Sequence, residues 1–157
     1  MVLPSGLSSK VVDIVTMHAE TNTTFPPQSV ALTLEDDIDI SRGDMIVAAD
    51  NQPQVSQDIS LMFCWLNEKP LVPNGKYTLK HTTNEARCIV KSVDYKVNVN
   101  TLDKITDDKS VGLNEIGQMQ IRTTRPLMFD PYSRNRVTGS IRSEERRVGK
   151  ECIVKCR

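Results

Sequence analysis

Alternation with a period of two, cut at intervals of roughly ten residues by glycine and proline, confines this chain to a β fold. The pattern is clearest from Val30 to Val47, VALTLEDDIDISRGDMIV, where Val30, Leu32 and Leu34 alternate with Ala31 and Thr33 and give a strand one apolar face. That strand stops at Glu35. Asp36 to Ile40 alternates acid and isoleucine over a segment too short for a stable helix, with Ile38 and Ile40 expected to anchor it. Arg42-Gly43-Asp44 then supplies a turn, and Met45 to Ala49 is apolar again. No segment shows three turns of helical periodicity, so the class is all-β.

The remaining runs fit barrel strands. Lys10 to Met17 carries the β-branched Val11, Ile14 and Val15. Ile59 to Leu66, ISLMFCWL, is nearly continuously apolar, so it is either covered on both faces or leaves an apolar patch outside a barrel. Lys76 to Thr83 sets Tyr77, Leu79 and His81 on one face, Arg87 to Asn98 alternates from Val93 onward, and Gln118 to Thr123 places Met119 with Ile121. Between these lie loops at Glu20 to Gln28, Glu68 to Gly75 and Asp103 to Ser110, and a turn at Pro126 to Tyr132. Phe25, before Pro26 and Pro27, is expected to tuck its ring under a barrel rim. Met1 to Gly6 opens on a short apolar strand end, Val2-Leu3.

With 157 residues and 38% hydrophobic content there is enough chain for one full domain or two small ones. Charged residues make up 25% and the net charge is zero, but unevenly so. Residues 1 to 117 hold ten basic and sixteen acidic side chains, against ten and four in 118 to 157. A basic C-terminal part would suit an anionic partner, yet most of its basic residues follow Ile141. No stretch reaches the roughly twenty apolar residues that span a bilayer, and MVLPSG lacks the layout of a signal peptide, so a soluble cytoplasmic protein is expected. Cys64, Cys88, Cys152 and Cys156 read as reduced thiols, the first two in the core.

Reactive constellations are hard to find. A phosphate loop needs glycines followed by Lys and Ser or Thr; Gly112 and Gly117 have the spacing, but Gln118 and Met119 follow. Asn100 to Asp103 has the ends of a guanine-reading N-K-x-D motif, with Thr101 in place of the lysine. His18 and His81 lie far apart and neither neighbours a nucleophile. Cys152 and Cys156 are two thiols where a zinc site needs four ligands. Glu35, Asp36, Asp37, Asp39 and Asp44 lack the glycine and spacing of a calcium loop and read as a solvated acidic rim. Arg122, Arg125, Arg134 and Arg136 read as surface charge, and aromatics at 4% give little support for nucleic-acid binding. The expected catalytic, cofactor-binding and metal residues in this chain are therefore none.

VALTLEDDIDISRGD, with VLPSG, VNTLD, LNEIG and NRVTG, resembles the large, GTP-binding subunit of bacterial sulfate adenylyltransferase, a branch of the translation-factor GTPases. The resemblance runs from Val2 to about Ile141. It implies two translation-factor-like β-barrels: residues 1–53 as the C-terminal part of a first barrel that lacks its N-terminal strands, and 54–141 as a second that lacks its last. The chain is then a fragment of a longer protein. Residues 142–157, RSEERRVGKECIVKCR, break the pattern with dense mixed charge, resemble a vector-derived or adapter-derived translation, and are expected to stand outside the fold.

The resemblance further implies a heterodimer with a small catalytic subunit that makes adenylyl sulfate and pyrophosphate from ATP and sulfate, coupled to GTP hydrolysis. GTP and Mg would bind the intact subunit outside this chain, and in some members an adenylyl-sulfate kinase is fused after the barrels. The fragment itself would serve as scaffold and interface, inactive alone. Two rivals are a translation-factor-like barrel module that binds tRNA or the ribosome, and a stand-alone interaction module.

Overall fold

The computed structural model describes residues 1–17, 22–144 and 151–156. Every regular element among them is a strand. The chain divides into two compact units, Met1–Gln52 and Pro53–Arg157.

The first unit holds β1 (Val2–Leu3), β2 (Val11–Thr16), β3 (Val30–Leu34) and β4 (Met45–Ile46). β1 and β4 pair antiparallel, Val2 opposite Ile46 and Leu3 opposite Met45, so the opening strand end finds its partner far along the chain. β2 pairs with β3 from Val11↔Leu34 to Thr16↔Val30. The Arg42-Gly43-Asp44 turn forms as the sequence requires. Asp44 donates its N–H to the Ser41 carbonyl, the Asp44 carboxylate accepts from the Ser41 N–H at 2.9 Å, and Gly43 takes a φ of 103° that only glycine adopts easily. Two side-chain expectations fail here. Phe25 is 65% exposed and tucks under nothing, and Ile40 is also exposed, which leaves Ile38 as the half-buried member of the crossover.

The second unit is built from β5 (Gln54–Cys64), β6 (Lys76–His81), β7 (Asn84–Val97), β8 (Lys104–Ile105), β9 (Ile116–Phe129), β10 (Ser140–Glu144) and β11 (Glu151–Cys156). The pairing order is β6-β10-β11-β5-β9-β7-β8, and β7 also pairs with β6, so six strands form a closed ring with β8 appended to β7. Inside lie Ile59, Leu61, Phe63 and Trp65 of the β5 arm, facing Leu79, Cys88, Val90, Met119, Ile121 and Ile141. The outer residues Ser60, Met62 and Cys64 are half-buried, so the apolar run is a barrel strand with a mixed exterior. Cys88 is core as expected; Cys64 falls on the outer face because it is one residue out of phase with Phe63.

Three departures from simple alternation have physical causes. β9 runs straight through Pro126, where a turn was expected. The β5–β9 register jumps from Asp58↔Arg122 to Ser56↔Leu127, so Pro126 sits in the irregular stretch and its missing N–H breaks no ladder bond. β7 carries two register shifts, between Val90 and Ser92 and between Val93 and Tyr95, so that Val93 and then Lys96 face inward while Tyr95 and Val97 stay half-exposed. Finally, β10 continues past Ile141 with Arg142 outward and the small Ser143 inward, alternation kept by size instead of hydropathy. Glu151–Cys156 of the segment set aside by sequence pairs with both β10 and β5, whose edges offer it two ladders. Residues 145–150 lie outside the described residues.

Candidate interaction surface

The strongest polar cluster in the second unit is one that sequence reading missed. Lys96 is buried, its side chain only 6% exposed, and its Nζ donates to Asp108 Oδ2 at 2.6 Å and to Glu115 Oε1 at 2.8 Å. Glu115 Oε2 accepts the Gly112 N–H at 2.6 Å, and Asp108 Oδ1 accepts from the Ser110 N–H. The triad thereby pins the whole connection between β8 and β9 onto β7. Burial by itself disfavours the Lys96 ammonium, but the hydrogen bonds to Asp108 and Glu115 outweigh it and hold the group above the ordinary lysine range. The Lys96 hydrogen bond, helped by Ser110, takes Asp108 far below the usual carboxylate range. Desolvation pushes Glu115 up, but Lys96 and the Gly112 N–H prevail and it too is lowered. The cluster depends on the pair of bulges in β7, a match between strands that period-two reading cannot see.

The same bulges shape the outer face. Asp94, the extra residue of the second bulge, accepts from the Gln120 side chain at 2.8 Å and from Gln118 at 3.3 Å, and both amides also reach Ser60 Oγ. Beside them Asp58 accepts from Lys91 at 2.9 Å and pairs with Arg122 at 3.2 Å; the Lys91 hydrogen bond is the main cause of its lowered pKa. Where β9 leaves β7 after Thr123, Thr78, Glu85, Arg87, Thr124 and Arg125 line an open cleft.

The residues singled out in the sequence do not converge. His81 is buried on β6, its Nε2 2.6 Å from the Thr138 carbonyl, and burial lowers its pKa. His18 lies outside the described residues. Burial pushes the Cys88 thiol up to about 12, which leaves it without thiolate character at neutral pH. Arg122, Arg125, Arg134 and Arg136 are all engaged: with Asp58, the Glu85 carbonyl, Asp130 at 3.7 Å, and the Tyr132 ring at 6.0 Å. Glu35 pairs with Lys10 at 3.5 Å at the edge of the acidic crossover. Gly117 lies inside β9, and Gly112 in the turn before it. Among the described residues, no three His, Cys, Asp or Glu side chains are placed to hold a metal ion, and no helix is long and apolar enough to cross a membrane.

The buried His81 makes a testable prediction. Its pKa is depressed in the folded chain, so below the unfolded value of about 6.5 the unfolded state takes up the proton first, and stability falls as pH drops. Thermal unfolding is expected to weaken between pH 7.5 and 5.5, by up to about 1.4 kcal/mol per pH unit. His81→Gln, which can still donate to the Thr138 carbonyl, is expected to flatten that slope. An unchanged slope in the variant would assign it to other groups.

Comparison with known proteins places this surface in context. Residues 58–150 match the GTP-eEF1A C-terminal domain-like family. Sulfate adenylyltransferase subunit 1 of Alteromonas mediterranea is 45% identical over 138 residues, covering 88% of this chain and 29% of the relative. The bifunctional enzyme CysN/CysC of Rhodopirellula baltica is 44% identical over 140 residues, covering 89% of this chain and 22% of the relative. The chain thus spans less than a third of these relatives. In fold it is similar to sup35 complexed with GDP, with a TM-score of 0.86 at 12% identity, covering 99% of this chain and 39% of that one. The apo form of elongation factor SelB from Methanococcus maripaludis gives 0.73 at 16%, covering 99% and 34%.

Proposed function

The chain belongs to the GTP-eEF1A C-terminal domain-like family, and from that premise we propose that it is the barrel portion of the GTP-binding subunit of a sulfate adenylyltransferase. The observation that carries this reading is the 45% identity to sulfate adenylyltransferase subunit 1 over 88% of the chain, set beside only 16% identity to the solved elongation factor SelB. In the intact subunit GTP and Mg bind outside this chain. A small catalytic subunit joins ATP and sulfate into adenylyl sulfate and pyrophosphate, and GTP hydrolysis drives the reaction.

The role of these residues is to hold shape and offer a docking face. Charged side chains of the second unit pair with one another: Lys96 with Asp108 and Glu115, Lys91 and Arg122 with Asp58. Such networks stiffen a wall and fix the loops that edge it.

Titration of the purified chain with a small sulfate adenylyltransferase subunit, followed by calorimetry, tests the reading. Saturable one-to-one binding at micromolar concentration is expected, with no release of phosphate from GTP by the chain alone. Absence of binding, together with salt-dependent binding of tRNA, would replace this reading by a translation-factor-like one.

A further inference from the structure

β9 pairs with β7 as far as Cys88↔Thr123 and then leaves it while staying beside β5. Carried on in the same register, the ladder would set Arg87 opposite Thr124 and Glu85 opposite Pro126, and proline has no N–H to offer the Glu85 carbonyl. The Arg125 guanidinium makes that bond instead, Nη2 donating to the Glu85 carbonyl. The strands therefore part, and between them opens a cleft of about 550 Å³ lined by Thr78, Glu85, Ala86, Arg87, Thr124 and Arg125. Thr78 stands opposite Arg87 in the β6–β7 ladder, and Lys80 opposite Glu85.

The charge in this cleft is uneven. Two guanidinium groups face one carboxylate, and that carboxylate lies 3.7 Å from Lys80. Lys76 adds a cation in the adjoining hollow, which Thr78, Arg87 and Thr124 also line. On β10, Arg142 opposite Lys80 and Glu144 opposite Thr78 bring one charge of each sign, and Asp58 on β5 is taken by Lys91 and Arg122. Among the described residues the Arg87 guanidinium and the hydroxyls of Thr78 and Thr124 have no hydrogen-bond or ionic partner, and Arg125 has only Nη2 engaged. Arg122, Arg134 and Arg136, by contrast, are matched with Asp58, Asp130 and the Tyr132 ring. A planar guanidinium presents two parallel N–H groups that fit the edge of a phosphate or sulfate, and one already pinned loses less freedom when it binds. We propose that this cleft binds a tetrahedral oxyanion, a phosphate or sulfate group, between Arg87 and Arg125, with Thr78 and Thr124 as hydroxyl donors. The inference does not draw on the heterodimer reading, and either can fail without the other.

Chemical-shift titration of the ¹⁵N-labelled full chain at constant ionic strength tests it, with inorganic sulfate, inorganic phosphate and a nucleoside monophosphate as separate probes and acetate as the planar comparison. Saturable binding of at least one tetrahedral probe is expected, with a Kd on the order of 1 mM. The ranking of the three tells a free anion from an ester as the source. Arg87→Gln should weaken binding about tenfold and Thr78→Val about threefold. Arg136→Gln, which removes the same charge outside the cleft, should leave it unchanged. No saturation by any of the three, or equal binding by wild type and Arg87→Gln, would overturn the assignment. Acetate bound as tightly as sulfate and phosphate would make the cleft a carboxylate contact and sink it too. Tighter, steeply salt-dependent capture of a single-stranded RNA oligonucleotide, shifting residues well beyond the cleft, would overturn it in favour of a nucleic-acid surface.

Discussion

Gly117→Ala is expected to destabilise the second unit by about 3 kcal/mol, the upper end for overpacking, and to lower its melting temperature by roughly 15 °C. A Cβ at Gly117 would lie 2.3 Å from the Tyr95 carbonyl oxygen, 3.0 Å from the Lys96 Cα and 3.1 Å from Phe63 Cε1. Two of those neighbours are backbone, brought close by the bulge at Asp94, and cannot rotate aside. Relief would require opening the β7–β9 ladder at the end where Lys96 pairs with Gly117. Gly112 provides the control. It immediately precedes the LNEIG segment that Gly117 closes, its φ is not positive, and a Cβ there meets only Glu115 Oε2 at 3.8 Å, so Gly112→Ala should stay within about 0.5 kcal/mol of wild type. Urea unfolding of both variants measures the contrast, and equal midpoints would refute the close approach.

Lys96→Ala should come next, costing about 2 kcal/mol. Removing one member of a fully buried pair costs more than this, but Asp108 and Glu115 are 56% and 37% exposed and can regain water. The loss combines two charge-assisted hydrogen bonds with the packing of the lysine stem. Lys96→Met restores the stem and should recover part of the deficit; a variant as unstable as the alanine would show that charge alone matters. The pH window follows from the directions of the shifts. Carboxylates held low in the folded state contribute fully above their unfolded values of about 4 and lose that contribution as pH falls through the folded values. The raised lysine contributes below its unfolded value of about 10.4 and loses it above. The difference between wild type and Lys96→Met should therefore be level from about pH 5 to pH 10 and shrink outside it. A difference that peaks in acid would contradict the geometry.

Both predictions turn on β7, and β7 is where reading by sequence reached its limit. Lys76 to His81 alternates cleanly, and Tyr77, Leu79 and His81 do share a face. From Val90 onward two inserted residues shift the phase, so Lys96, which composition would send to solvent, is turned inward. A bulge is set by the match between neighbouring strands, a long-range property that a local window does not contain. The same holds at Pro126, which reads as a breaker until its position in the irregular β5–β9 stretch is known. Ring closure by Glu151–Cys156 has a similar origin: what a mixed-charge segment does depends on whether two strand edges await it.

By itself, the sequence determined the all-β class, the Arg42-Gly43-Asp44 turn, the inner row from Ile59 to Trp65 and the family to which the chain belongs, since each depends on residues near one another in the chain. Only the tertiary structure decided that Lys96 anchors a loop and that Gly117 admits no side chain. Those facts depend on what lies across a ladder or a turn, and strand neighbours are chosen by register between distant segments.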